Sequence, residues 1–204
     1  MRFYQVPSVD DLVIPIPENY KDCVELIKSD DFRTRGRMTS LFRIWLHSFK
    51  DPRMAFSIWF RFSAYRDGLF YWICRIMLMR LSNKYCLQIA PSTLVGYGLY
   101  LGHNTGVIIN ATAIIGNNVN FSQFCTIGAN DDKAAVIGNN VYIGPNTCVV
   151  EHVYIGHNAT IGAGSVVTKN VPENATVAGV PAKIISNKTP ARYINNPYIS
   201  QDQQ

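Results

Sequence analysis

VIGNNVYIGPNTCVV, residues 136–150, decides the fold. Ile137, Ile143 and Val149 recur at every sixth position, and Gly138 and Gly144 follow the first two. The period continues in both directions. Upstream it passes through Ile89, Val95, Leu101, Ile109, Ile115, Phe121 and Ile127; downstream it passes through Ile155, Ile161 and Val167. A second small or branched side chain sits four residues after the aliphatic, as at Val119, Cys125, Val141, Thr147 and Ser165. A helix repeats at 3.6 residues and a lone strand at 2, so neither sustains a period of six. Short strands that turn a corner every six residues do. Gly116-Asn117-Asn118 and Gly138-Asn139-Asn140 supply the positive φ angles that such corners need. The reading is a hexapeptide β-helix of roughly four to five triangular coils, stacked at about 4.8 Å with an aliphatic ladder inside.

The chain divides near residue 86. Residues 1–86 read as an N-terminal arm and α-helical region, 87–185 as the β-helix, and 186–204 as a C-terminal tail. Met1 to Pro17 is Pro-rich and predicts an extended arm. A short helix is expected over residues 18–30, with Val24, Leu26 and Ile27 on its apolar face. Ser40 is placed to cap a second helix through Ile44, Trp45 and Phe49, and Asp51-Pro52 is an N-cap followed by a first-turn Pro. After Gly68 a longer apolar helix runs to about Leu81. The fold class is mainly β: a parallel β-helix preceded by a helical N-terminal region.

Composition narrows the function. With 204 residues, 48% apolar and 16% charged, the chain can bury a sizeable core, and its low charge suits a solenoid whose faces pack against partner subunits. Five Cys residues are scattered without CxxC or Cys/His spacing, which predicts a reducing compartment and no metal site. Met1 to Pro17 lacks a signal-peptide pattern, and the run Leu69 to Met79, broken by Arg75, is too short to span a bilayer. The expected location is cytoplasmic. Residues 33–80 hold nine Arg and one Lys against Asp51 and Asp67, a net of +8. That basic, aromatic-rich region reads first as a cap on the prism or on other subunits. Its second reading is peripheral contact with the inner face of an anionic membrane. No base-reading motif is present, so no nucleic-acid partner is expected.

The repeat breaks twice. From Leu101 to Ile109 the step is eight residues, across Gly102-His103-Asn104-Thr105-Gly106. From Ile127 to Ile137 it is ten, which inserts residues 129–135. Loops that leave a rigid scaffold are where function is placed. The breaks fall in neighbouring coils, at different corners or faces, so in a trimer His103 of one prism and the loop of the next would face each other.

These residues carry a resemblance. From Gln88 to Ile185 the chain resembles the hexapeptide acyltransferases, and the serine acetyltransferases most closely. The matching motifs are His103-Asn104-Thr105-Gly106, Ile161-Gly-Ala-Gly-Ser-Val-Val167 and Ala178-Gly-Val-Pro-Ala-Lys-Ile184. The resemblance implies a left-handed coil, a homotrimer and acetyl-CoA as co-substrate. It also implies His103 as the general base that deprotonates an acceptor hydroxyl, a role suited to an imidazole, whose ordinary pKa is about 6.5. The departures bear on the acceptor. Gly102 stands where the family has Asp before the His; Gln88 replaces its orienting Asp, Ala90 a nearby His and Lys133 the loop His. Those groups recognise the charged ends of serine. The chain therefore looks like the serine-acetyltransferase-like O-acetyltransferases of capsule and exopolysaccharide clusters, which modify a sugar hydroxyl. Gln88, Asn104, Asn130 and Asp131 are the candidate acceptor contacts. Serine O-acetylation is the alternative.

In the family, CoA lies in the groove between two prisms. The matching positions are Gly128, Ala129, Pro145 and Ala163, with Lys169 and Lys183 as candidates for its phosphates. Two further readings are weighed. A γ-class carbonic anhydrase needs three His ligands at spaced coils, and the pattern of His103, His152 and His157 does not supply them. A non-catalytic trimeric scaffold predicts no acetyl-CoA binding and no role for His103.

Overall fold

The computed structural model describes residues 1–130 and 133–200. The N-terminal region opens with a hairpin of β1 (Arg2–Gln5) and β2 (Val13–Ile16), paired antiparallel. Four helices follow: α1 (Tyr20–Arg35), α2 (Leu41–Ser48), α3 (Pro52–Ala64) and α4 (Tyr71–Tyr85). The expected extended arm is thus a hairpin. Pro7 and Pro15 obscured it, yet a two-stranded edge accommodates Pro15 opposite Phe3. The first helix runs longer than expected. Asn19 caps it by accepting the Asp22 N–H, and Gly36 ends it in the left-handed conformation. Ser40 precedes α2 but makes no side-chain cap bond, whereas Asp51 does cap α3.

The β-helix has five coils. The first is β3 (Leu87–Ile89), β4 (Leu94–Val95) and β5 (Tyr100–Leu101); the second is β6 (Val107–Ile109), β7 (Ile114–Ile115) and β8 (Asn120–Phe121). The third is β9 (Thr126–Ile127), β10 (Val136–Ile137) and β11 (Tyr142–Ile143), and the fourth β12 (Cys148–Val149), β13 (Tyr154–Ile155) and β14 (Thr160–Ile161). In the fifth, β15 (Val166–Val167) leads through a bridge at Val171 to β16 (Thr176–Ala178), and β17 (Lys183–Ser186) turns back antiparallel. Strands stack into three parallel faces. The first is β3-β6-β9-β12-β15, the second β4-β7-β10-β13, and the third β5-β8-β11-β14-β16-β17. Register is constant: Ile89, Ile109, Ile127, Val149 and Val167 lie one above another. All five are buried, and each contributes about 1.5–3 kcal/mol of hydrophobic stabilisation. Phe56 and Phe60 of α3 and Leu78 of α4 continue the same core, so the helices plug the open end of the first coil.

Polar ladders hold the corners. Between the second and third faces the Tyr97 N–H donates to Asn117 Oδ1, the Asn117 N–H to Asn139 Oδ1, and the Asn139 N–H to His157 Nδ1 (2.7–2.8 Å). His157 is thus buried and occupies the Asn position of the ladder, not an exposed turn. The hairpin covers the second face, where Val6, Leu12 and Ile14 pack with Val136. The tail runs back along this corner: the Ala191 N–H meets Asn158, Tyr193 meets Asn120, and Asn195 meets Arg33.

The helices are locked to the prism through buried charge. Arg61 grips both oxygens of Asp30 (2.9 Å each) and donates to the carbonyls of Val95 and Gly96. Asp30 also accepts from Ser57 and from the Leu99 N–H. Arg33 donates to Gly98 and Asn120, and burial pushes its pKa down to about 10. Two of the arginines of the +8 stretch are therefore internal joints. Asp30→Ala would strand the Arg61 guanidinium without its carboxylate, and we expect a loss of about 3–5 kcal/mol in urea unfolding. A loss below about 1 kcal/mol would show the joint to be dispensable.

Candidate active site

The corner between the third and first faces carries His103. Five backbone segments stack there, one per coil: Gly102–Gly106, Ser122–Phe124, Gly144–Asn146, Gly162–Gly164 and the turn after Ala178. Their stacking is closed by the Asn146 N–H to Gln123 and the Gly164 N–H to Pro145. In the first coil the extra residues cannot enter the packed interior, so they leave as the His103 loop. Its two ends are fixed by the Gly102 N–H to the Phe121 carbonyl (2.8 Å) and the Gly106 N–H to the Tyr85 carbonyl (3.3 Å). His103 itself is exposed, and among the described residues it has no hydrogen-bond partner.

Arg53 reaches this loop from α3. Its Nη1 donates to the Gly102 carbonyl (3.2 Å), while Asp51 holds the guanidinium by two charged hydrogen bonds (3.0 and 2.8 Å). Burial alone would raise the Asp51 carboxyl, but the bonds and charge of Arg53 outweigh it and hold it below the usual carboxylate range. The same bonds raise Arg53. The helical region thus touches the residue next to His103.

Phe124 lies one coil below. Its φ is +58°, where its stacked counterparts are Gly106, Asn146 and Gly164. A bulky side chain there costs about 1–2 kcal/mol, and such strain gathers at functional positions. Its ring leaves no room for a Cβ on Gly106, and the side chain is 56% exposed. Sequence reasoning missed both Arg53 and Phe124. The signal for Phe124 was an aromatic in a corner slot that the repeat fills with Gly or Asn; Arg53 had none.

The remaining candidates separate into two columns. Pro145 and Ala163 stand below His103 on the same corner. A Cβ built at neighbouring Gly164 meets nothing within 4 Å, so this corner is open enough for a thin chain to approach its backbone. Gly128, Ala129, Asn130 and Lys169 sit on the opposite edge of the first face, at its corner with the second. There Asn130 donates to Glu151 (3.0 Å), and the Ala134 N–H to Thr112 Oγ pins the far end of the insertion. Asp131 lies outside the described residues. Lys183 is exposed on β17, paired with Ala178 at the foot of the His103 corner. Gln88 points outward from β3 into a groove beside α4 with Trp72, Ile76 and Ile109. One chain therefore does not bring its acceptor candidates together: Asn104 shares the His103 loop, which leads into β6, whereas Asn130 lies across the first face beyond β9, one coil on.

Two other clusters belong to the scaffold. Asp11, His157 and Glu173 place three potential ligand atoms within 4.8 Å. His157 already accepts at Nδ1, so Nε2 carries the proton and donates to Asp11 (3.1 Å), pinning the hairpin turn. Cys125 is buried, its thiol donates to the Gly144 carbonyl (3.1 Å), and burial pushes its pKa up to about 11.

Residues 134–169 match the bacterial transferase hexapeptide family (six repeats). The chain is 33% identical over 141 residues to the serine acetyltransferase of Buchnera aphidicola, covering 64% of this chain and 52% of that protein. The serine acetyltransferase of Neisseria gonorrhoeae, solved in complex with serine, superposes with a TM-score of 0.64 and 32% identity over 81% of this chain and 70% of that one. That of Brucella abortus, solved with coenzyme A, gives 0.59 and 28% over 82% and 69%. The prism is that of a hexapeptide-repeat acyltransferase. Within that class the chain belongs to the serine acetyltransferase-like family. It spans about half the length of the curated bacterial relatives it matches.

The Arg53 bond to Gly102 is charge-assisted and worth about 1.5–3 kcal/mol. Arg53→Ala should speed amide hydrogen exchange across residues 102–106 by about tenfold or more, with the β9–β14 strands still protected. Unchanged exchange in that loop would show that α3 does not hold it.

Proposed function

We propose that this protein is an acetyl-CoA-dependent O-acetyltransferase with His103 as its general base. The observation that carries the reading is the placement of His103. It projects from a break in an otherwise constant register, at the head of a corner column whose lower members, Pro145 and Ala163, are small and open. The imidazole takes the proton of an acceptor hydroxyl as that oxygen attacks the thioester carbonyl. The tetrahedral intermediate collapses by breaking the C–S bond, and the imidazolium returns the proton to the departing CoA thiolate. A neutral base positioned in this way contributes about 10²–10⁴-fold.

The reading includes a homotrimer. The two columns of candidate residues flank one face of one prism, so a neighbouring prism set against that face joins the His103 corner of one copy to the 128–135 corner of the next. Ile108, 41% exposed in the middle of that edge of the face, and Phe124 are apolar surface that such a neighbour would cover.

Relatives named as serine acetyltransferases, one of them solved with serine, favour L-serine as the acceptor and make it the first reading. A second reading, a neutral sugar hydroxyl, is favoured by Gln88, Ala90 and Gly102 along the first coil. None of these can pair with an ammonium as a carboxylate does, and a site rejects a ligand whose charged ends it leaves unpaired.

Thiol release from acetyl-CoA, followed with L-serine and with a panel of sugars, tests both levels. We expect acetyl transfer that falls about 10²–10⁴-fold in His103→Ala with CoA affinity retained. Near wild-type turnover in that variant would remove His103 from the chemistry. Serine turnover on the order of 10 s⁻¹ assigns the amino-acid acceptor, and turnover with sugars alone assigns the second.

A further inference from the structure

Helix α4 is apolar on both sides. Cys74 and Leu78 are buried, Leu78 in the prism core. On the other side Trp72 (74% exposed), Ile73, Ile76 and Met79 face solvent, and Leu69 (86%) and Phe70 extend the patch into the preceding turn. A helix apolar all round belongs between two apolar environments, and one chain supplies only the first. Basic residues border the open side: Arg75, Arg80 and Lys84, none of them in an ion pair among the described residues. The sequence from Gly68 to Asn130 contains no Asp or Glu. Helix α2 repeats the pattern with Phe42, Trp45, Leu46 and Phe49 exposed beside Arg43 and Lys50, again with no acidic residue between Asp31 and Asp51.

The charge decides what can cover this face. A second copy meeting it across a two-fold axis would set Arg75, Arg80 and Lys84 against their own counterparts, with Asp67, at the start of the turn before α4, the one acidic residue nearby in sequence to offset them. An anionic bilayer surface supplies both missing partners: phosphates for Arg and Lys, and an apolar boundary for Trp, Ile and Met. No helix among the described residues is long and apolar enough to cross a membrane, and α4, with 15 residues, spans only about 22 Å. It would lie on the surface. We propose that the outer face of α4 is a peripheral docking surface for an anionic bilayer.

The test uses the full-length chain and vesicle flotation, with phosphatidylcholine alone or mixed with phosphatidylglycerol. The protein is expected to float with the mixed vesicles, to stay behind with the neutral ones, and to detach at high salt. Ile76→Ser with Trp72→Ser should lower partitioning about tenfold or more, and Arg80→Gln with Lys84→Gln should do so without touching any apolar contact. Failure to float with anionic vesicles overturns the proposal, as does equal partitioning onto both vesicle types. A fall in light-scattering mass in the Trp72/Ile76 variant also overturns it, because the face would then be a contact between copies.

Discussion

Constant register is the constraint from which the rest of the molecule follows. Each strand of a coil must lie over the corresponding strand of the next, with its aliphatic over the aliphatic below, as Ile109 lies over Ile127 and Val149. An extra residue cannot be absorbed inside, because the interior is filled and a slip of one residue would turn the aliphatics outward. It can only leave at a corner. Both insertions do so, one on each edge of the first face. The rigidity of the core fixes where those two loops leave the prism.

A prism of this kind has open ends, and the helical region resolves one of them. Phe56, Phe60 and Leu78 fill the mouth of the first coil, and the Asp30–Arg61 pair fixes their angle of approach. A buried ion pair is weak evidence for net stability, but its many hydrogen bonds to coil carbonyls and amides give it directional precision. The same helices place Arg53 on the Gly102 carbonyl. Scaffold and site are thereby one mechanical unit: the end-plug of the prism also fixes the loop that carries the proposed base.

Much of this was legible in the chain alone, because a six-residue period is a physical signature with few alternatives. The strand positions, the inward Cys125, the two breaks and the Asp51-Pro52 helix start all follow from spacing and local chemistry. What escaped was non-local. The hairpin depended on packing against Val136 and Tyr154, over a hundred residues away. Arg61 and Arg33 could not be told from the other arginines of the basic stretch, because their partners lie in other elements. Phe124 escaped because aromatic residues in a solenoid ordinarily read as core. Gln88 and Asn130 were grouped by chemistry, yet a single chain holds them apart.

The central claim is that the site is split between corners of neighbouring copies. Mixing two chains, each inactive by itself, tests it: one bearing His103→Ala and one lacking residues 129–133. If His103 and the insertion meet across an interface, trimers reassembled from an equal mixture contain intact pairs at about a quarter of their interfaces and regain about that fraction of wild-type activity. If each chain builds its whole site alone, no combination restores one, and a mixture as inactive as its components would contradict the account.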